Sequence, residues 1–206
     1  MKNLLILFAF VFYLPILNSH TLEKAISSND REAKNILRDS YRNPYETLSF
    51  FEIKSDMKIV ELSPGGGWYT EILANYIDKP GLLIAAHFDK DTNIPYFKRG
   101  RAAFEKKIST NPMYKNVEIV DLSSELAKEG SIDAVLTFRN LHNWLGPQMD
   151  NIFSNAYRAL KPGGIFGVGV NRANPGTSME KMKKSGYVTE EHANEVAEKH
   201  GFTLVS

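Results

Sequence analysis

The sequence predicts an α/β domain, a doubly wound, mostly parallel sheet with helices on both faces. From residue 58 onward, short apolar stretches of strand length alternate with longer stretches whose apolar residues recur at helical spacing. Parallel neighbours need a crossover connection, and the usual crossover is a helix, so this alternation builds a parallel sheet. The strands are themselves nearly continuous apolar runs, as strands covered on both faces are. In addition, Gly65-Gly66-Gly67 directly follows the first strand, at the carboxyl edge where such sheets bind ligands.

The elements follow in order. Residues 1–19 have the layout of a secretory signal: Lys2, an apolar run from Leu4 to Leu17, then Asn18 and Ser19 as the cleavage residue. The run is shorter than the roughly 20 residues of a membrane span. Leu17 is not the small side chain preferred two places before a cleavage site, so an uncleaved anchor is the alternative. Residues 20–56 read as N-terminal helices packing on the core. Leu22, Ala25 and Ile26 recur at helical spacing, as do Ala33, Ile36 and Leu37. A further short helix, Thr47 to Phe51, opens at Asn43-Pro44-Tyr45-Glu46, with Asn43 as cap, Pro44 in the first position and Glu46 reaching back.

Residues 57–206 carry the sheet. Strands are expected at Lys58–Leu62, Leu82–His87, Val117–Asp121, Asp133–Phe138, Ile165–Val170 and Phe202–Val205. Helices are expected at Trp68–Ile77, 96–107, Pro147–Leu160 and from a Thr189 cap to His200, the last ended by Gly201. Lys79-Pro80-Gly81 and Lys161-Pro162-Gly163-Gly164 stop two of them. Residues 171–187, rich in Asn, Gly, Lys and Ser, read as a long surface loop.

Composition narrows the chemistry. The 25 Lys and Arg nearly balance the 24 Asp and Glu, which argues against a generally basic, nucleic-acid-coating protein. With no cysteine, disulfides, thiolate metal sites and cysteine nucleophiles are excluded. Five scattered histidines without an H-x-x-x-H or H-E-x-x-H pattern give no metal cluster.

The strongest chemical signal is Glu61-Leu62-Ser63-Pro64-Gly65-Gly66-Gly67-Trp68. Glycines let the backbone turn and approach a ligand closely, and the helix that follows aims free N–H groups at the same spot. By itself such a turn is weak evidence of a ligand site, and a tight structural turn is the plainer reading. Its spacing, however, of Glu61, Ser63, Gly65 and Gly67, resembles the first motif of class I S-adenosylmethionine-dependent methyltransferases. It fits the dinucleotide pattern G-x-G-x-x-G less well. Ala159-Leu160-Lys161-Pro162-Gly163-Gly164 is similar to the turn these enzymes carry ahead of their fifth strand. A closer resemblance, to an exported bacterial branch of methyltransferases, runs from residue 38 to the C-terminal end. It is carried by Arg38-Asp39, Arg42-Asn43-Pro44, Glu46-Thr47-Leu48, Phe50-Phe51, Pro64 to Leu73, and Arg139-Asn140-Leu141-His142-Asn143-Trp144.

The resemblance implies a Rossmann-like sheet of the class I methyltransferase type. The chain stops at Ser206, directly after the expected sixth strand, so the last, antiparallel strand of that type is expected to be lacking. Further departures from the family pattern are Asn43 and Asn171, where the branch carries histidine, and a displaced acid at the end of the second strand, where His87 stands and Asp89 follows. The two asparagines would remove imidazoles available for proton transfer.

Site roles follow from the resemblance. S-adenosylmethionine is the expected cofactor. Glu61 would meet its methionine end, Ser63 donate a hydrogen bond, and Gly65, Gly66 and Gly67 admit it against the backbone. Asp89 or His87 would take the ribose hydroxyls and Asp121 the adenine amino group, with Asn140 and Tyr69 lining the pocket. His142 is the candidate general base, since its unperturbed pKa of about 6.5 suits that work. Trp68 and Trp144 offer either an aromatic face to a sulfonium or ordinary packing, and packing is the commoner role. Arg139 and Arg172 follow strand ends and suit an anionic substrate group or a salt bridge equally. The expected enzyme methylates a small or envelope-associated acceptor outside the cytoplasm. The alternatives are a non-catalytic binder of the same fold and, disfavoured by the glycine spacing, a nicotinamide-dependent oxidoreductase.

Overall fold

The computed structural model describes residues 21–205; the expected signal segment lies outside them. Four short helices open this part: α1 (Leu22–Ile26), α2 (Ala33–Ile36), α3 (Asp39–Arg42) and α4 (Pro44–Phe50). The sheet unit follows as β1 (Lys58–Leu62), α5 (Trp68–Tyr76), β2 (Leu82–His87), α6 (Pro95–Thr110), β3 (Val117–Asp121) and β4 (Ile132–Phe138). It ends with α7 (Leu141–Trp144), α8 (Pro147–Ala159), β5 (Leu160–Gly169), α9 (Met179–Ser185) and α10 (Glu190–Lys199). The five strands run in the order β3-β2-β1-β4-β5, and every pairing is parallel. Strand order therefore reverses between β1 and β4, the place where doubly wound sheets take ligands.

Alternation along the strands divides the core in two. Val60 and Leu62 of β1 and Val135 of β4 face one side, where they meet Met149, Ile152, Phe153 and Ala156 of α8. Ile59, Ala134 and Leu136 face the other, against Leu48 of α4 and Ile72 and Leu73 of α5. Phe153, Leu48, Ile72 and Leu73 are all essentially inaccessible, and each such side chain contributes about 1.5–3 kcal/mol by leaving water. Glu61 and His87 share the parity of Ile59 and Leu83, so both turn toward the α5 side.

Several expectations need correction. Phe202–Val205 forms no strand. Gly201 turns the chain in a left-handed conformation (φ 89°), and Phe202 then packs its ring on Phe153, Tyr157 and Phe166. Leu204 and Val205 are exposed, and β5 is the edge of the sheet. Part of the expected 171–187 loop is helix: Ser178 caps α9 by accepting from the Lys181 N–H, and Met182 anchors it in the core. β5 begins earlier than expected, because Leu160 already pairs with Ile132 and a register shift absorbs the glycine turn before Ile165 meets Ala134. Asn43 does not cap α4 with its side chain; it adopts a left-handed conformation (φ 43°) between α3 and α4, and Thr47 Oγ1 donates to its carbonyl at 2.8 Å. The Thr189 cap on α10 is present, accepting from the His192 N–H.

Candidate active site

The loop after β1 is built around positive φ angles. Ser63 (50°), Gly65 (60°) and Gly67 (80°) all take them, and the Gly67 N–H closes the turn on the Pro64 carbonyl at 3.0 Å. Side chains added at Gly65 or Gly66 would meet nothing within 4 Å, so this face of the loop is open. Gly67 is different. A Cβ there would come within 3.1 Å of Phe104, and α5 starts immediately afterwards.

Glu61 lies beneath the loop, 2% exposed. Its Oε2 accepts a short 2.6 Å bond from the Thr70 hydroxyl on α5. Burial pushes its carboxyl up to about 7, against the opposing pull of the Thr70 bond and the Lys107 charge. Ser63 Oγ is buried and makes no hydrogen bond. Asn140, just before α7, donates from Nδ2 to the Leu62 and Ser63 carbonyls at 3.3 and 3.2 Å, tying the end of β4 to the turn. An open glycine face, an unpartnered hydroxyl and a buried carboxyl close to neutrality together fit a ligand with a cationic, hydrogen-bonding end.

The ends of β2 and β3 are arranged otherwise. His87 is turned under the loop, 1% exposed. Its Nε2 meets the Gly65 carbonyl at 3.2 Å and its Nδ1 accepts from the Phe88 N–H at 2.8 Å. Burial, chiefly, holds its pKa below the ordinary histidine value. Both ring nitrogens thus serve the protein, and the expected ribose role does not fall to His87. Asp121 also departs from expectation: its carboxylate is held by Arg101 at 2.8 Å and by the Lys90 N–H at 3.2 Å. Asp89 accepts from the Ser123 N–H at 3.1 Å. It lines a cleft of about 530 Å³ together with Phe88, Leu122, Ser123 and Gln148, so it is the acid at this end that faces open space.

Tyr69 is buried and stacks on Phe138, centroids 3.5 Å apart, so it braces the wall and does not line a pocket. Trp68 and Trp144 are core residues at 4% and 3% exposure. The Trp68 face carries the Arg42 and Arg31 guanidiniums at 4.8 and 5.6 Å, leaving none for a sulfonium. Of the two candidate anion-binding arginines, Arg172 pairs with Glu190 at 3.2 Å. His142 is half-buried on α7, its ring against Gly186. Partial burial, then the Arg139 charge, lowers its pKa. It is therefore uncharged at neutral pH, as a base must be.

One cluster escaped the sequence reading. Glu71 on α5 is fully buried and collects Lys107 at 2.6 Å, Asn35 at 2.7 Å and Arg31 at 3.7 Å. Arg31 forks onto Asp39, and Lys107 also donates to the Gly66 carbonyl at 3.0 Å. This network joins α2, α3, α5 and α6 to the glycine loop. The available signal was position: Glu71 lies three residues after Trp68 and beside Ile72, on the buried face of its helix.

This architecture can be set beside known proteins. The methyltransferase-domain family model matches residues 60–168, from within β1 to the end of β5 and more than half of the chain. The chain belongs to that family. Membership makes it an S-adenosylmethionine-dependent methyltransferase and leaves the acceptor open. Solved structures agree in fold. An S-adenosylmethionine-dependent methyltransferase from Aquifex aeolicus superposes with a TM-score of 0.65 at 16% identity, over 90% of each chain. Phosphoethanolamine N-methyltransferase 2 from Haemonchus contortus, in complex with S-adenosyl-L-methionine, gives 0.56 at 18% identity, over 88% of this chain and 40% of that one. The cyclase SpnF gives 0.62 at 17% identity, over 80% and 57%. No curated protein matches the sequence.

Proposed function

We propose that this methyltransferase is exported, belongs to the exported bacterial branch, and methylates a small or envelope-associated acceptor. The observation that carries the donor site is the open Gly65–Gly66 face above a buried Glu61 whose carboxyl is raised to about 7 by burial. S-adenosylmethionine supplies an already activated methyl group on a sulfonium, so orientation dominates the protein's share of the work. Glu61 would ionise beside the ammonium of the methionine end, Ser63 Oγ would donate its unused hydrogen bond, and the loop N–H groups would face the ligand. Asn140 holds the turn in shape from β4. Asp89 would take the ribose hydroxyls, since a carboxylate accepts two hydrogen bonds at once. His142 would accept a proton from an acceptor that must lose one. Export rests on the Lys2 to Ser19 layout; among the described residues no helix is long and apolar enough to cross a membrane.

Titration calorimetry of the full chain tests the donor site. S-adenosylmethionine and S-adenosylhomocysteine should bind and NAD should not. At pH 6, repeating the titration in buffers of different ionisation enthalpy should show proton release approaching one per ligand as Glu61 ionises. Binding of NAD alone, or binding without proton release, would refute these roles. Cell fractionation with antibody detection tests export, and a purely cytoplasmic chain would end that part.

A second reading, a binder without turnover, draws on the closed end of β2, where His87 gives both nitrogens to the protein. That a cyclase shares the fold shows that fold alone does not fix a reaction. Donor binding with no methyl transfer across an acceptor panel would favour that reading.

A further inference from the structure

Two arginines, Arg42 and Arg139, stand at the ends of one aromatic stack beside the glycine loop, and the charge of a third, Arg38, bears on Arg42. Arg42 closes α3 and is half-buried, its guanidinium 4.8 Å from the Trp68 ring centroid. Trp68 is fixed by its Nε1 bond to the Asn35 carbonyl at 2.7 Å and by an edge contact with Tyr69. Tyr69 in turn stacks on Phe138, and Arg139 is the next residue in the chain. The aromatic stack therefore connects one arginine to the other across the mouth of the β1–β4 crevice. Arg139 is held in a left-handed conformation (φ 63°), with its N–H donating to the Gly169 carbonyl at 2.6 Å. It directly precedes Asn140, the residue bonded to the Ser63 carbonyl. The charges of Arg38 and Arg139 both bear on Arg42, whose pKa is lowered by burial first and by these neighbours next.

None of the three is in an ion pair with a carboxylate among the described residues. Three other arginines are paired: Arg31 has Asp39, Arg101 has Glu105 and Asp121, and Arg172 has Glu190, while Arg158 bonds the Asn155 amide oxygen. Arg42 is half-buried while Arg38 and Arg139 are exposed; their like charges repel, and an anion bound between planar guanidiniums relieves that repulsion with paired hydrogen bonds.

We propose that Arg42 and Arg139, with Arg38 adding charge, bind an anionic group of the methyl acceptor, a carboxylate or a phosphate, at the rim of the donor site. This rests on the donor reading above and names the acceptor class for it.

The test is calorimetry on the full chain, free and saturated with S-adenosylhomocysteine, titrated with inorganic phosphate and separately with acetate. One of the two anions should bind, and which one binds tells phosphate from carboxylate. Arg42→Gln and Arg139→Gln should each weaken it about tenfold, the loss of a charge-assisted hydrogen bond. Arg42→Lys keeps the charge and the packing over Trp68 but loses the fork, and should fall between. Arg172→Gln should bind as the parent does. The proposal is overturned if neither anion binds, or if the Arg42→Gln, Arg139→Gln double variant binds as well as the parent. It is also overturned if that double variant loses S-adenosylhomocysteine affinity, which would assign the arginines to the donor's own carboxylate. Anion binding that depends on these arginines, in a chain that binds no S-adenosylhomocysteine, would support the anion site while removing the donor reading.

Discussion

The carboxyl ends of β1 and β2 lie side by side, paired in register from Lys58 and Leu82 to Leu62 and Ala86, yet they are finished in opposite ways. At β1 the buried group is a carboxyl, Glu61, with one bond from Thr70 and open space above the loop it supports. At β2 it is an imidazole, His87, packed against Phe88 and Phe104 and bonded to the underside of the same loop. At the β1 end the buried Ser63 hydroxyl has no partner, whereas at the β2 end both ring nitrogens are used. Buried polar groups in proteins are ordinarily satisfied, so the unsatisfied end is where a ligand is expected. The satisfied end is a support for it. Backbone strain follows the same division. Ser63 and Arg139 are left-handed non-glycine residues at the ends of β1 and β4, and none occurs at the ends of β2 and β3.

The largest expected effect lies under the β1 end. Glu71 is the shared anion for Lys107 and Arg31 and accepts from Asn35. Glu71→Ala would remove the buried carboxylate the two cations share, though Arg31 keeps Asp39 and Lys107 keeps Glu32, and would strand the Asn35 amide, a loss of about 3 kcal/mol. Urea unfolding monitored by circular dichroism reads it directly. A loss within about 1 kcal/mol would mean that the loop does not depend on this brace, since ordinary surface changes cost that little.

The next pair of tests separates the two ends by the sign of their pH dependence. Glu61 has its pKa raised from 4.5 to about 7, so between those values the folded state keeps a proton that the unfolded chain has lost. Stability from this group is therefore full below pH 4.5 and falls as pH rises to 7, by on the order of 3 kcal/mol. His87 has its pKa lowered, so the unfolded chain takes up a proton first, and stability falls as pH drops below the ordinary histidine value. In the parent chain the two slopes oppose each other. Glu61→Gln should remove the first, giving a protein more stable than the parent at pH 8 and comparable to it at pH 4.5. His87→Gln should remove the second and steepen the decline toward pH 7. It also leaves the Gly65 carbonyl and the Phe88 N–H short of a partner, a cost of about 1–3 kcal/mol at all pH values. Unfolding midpoints measured from pH 4.5 to 8 decide this, and parallel curves for the two variants would dissolve the contrast.

Much of this contrast was legible in the sequence, and the remainder shows what was not. β1, β2 and β3 fall at the expected residues, because β1 and β2 are largely buried apolar runs and all three are bounded by turn residues. The positions of Glu61 and the three glycines follow from spacing alone. What spacing does not carry is partner choice. Nothing local tells that His87 would face inward with both nitrogens used, that Asp121 would be taken by Arg101, or that Tyr69 would stack on Phe138. Each depends on residues from 20 to 69 positions away in the chain, on elements brought together only by the sheet. α9 was hidden because one buried residue, Met182, anchors it among lysines. The expected sixth strand failed because Phe202 gains more from an aromatic cluster on α8 and β5 than from pairing at the sheet edge.

The smallest effect asked of the comparison is at Ser63, and it carries the most information. The residue takes a left-handed φ of 50° and buries an unbonded hydroxyl. The conformation costs an ordinary residue roughly 1 kcal/mol that glycine does not incur, and the stranded hydroxyl adds to that. Ser63→Gly should therefore stabilise the free protein by about 1 kcal/mol, after the greater backbone freedom of the unfolded glycine chain is set against it. If the hydroxyl is present for the donor, the same change should weaken S-adenosylhomocysteine binding by about fivefold to tenfold, one hydrogen bond's worth. Stability up and affinity down is the signature of a side chain kept for its ligand at a cost to the fold. Stability up with affinity unchanged would make Ser63 a mere departure from glycine, and would leave Glu61 as the polar contact at the finished end of β1.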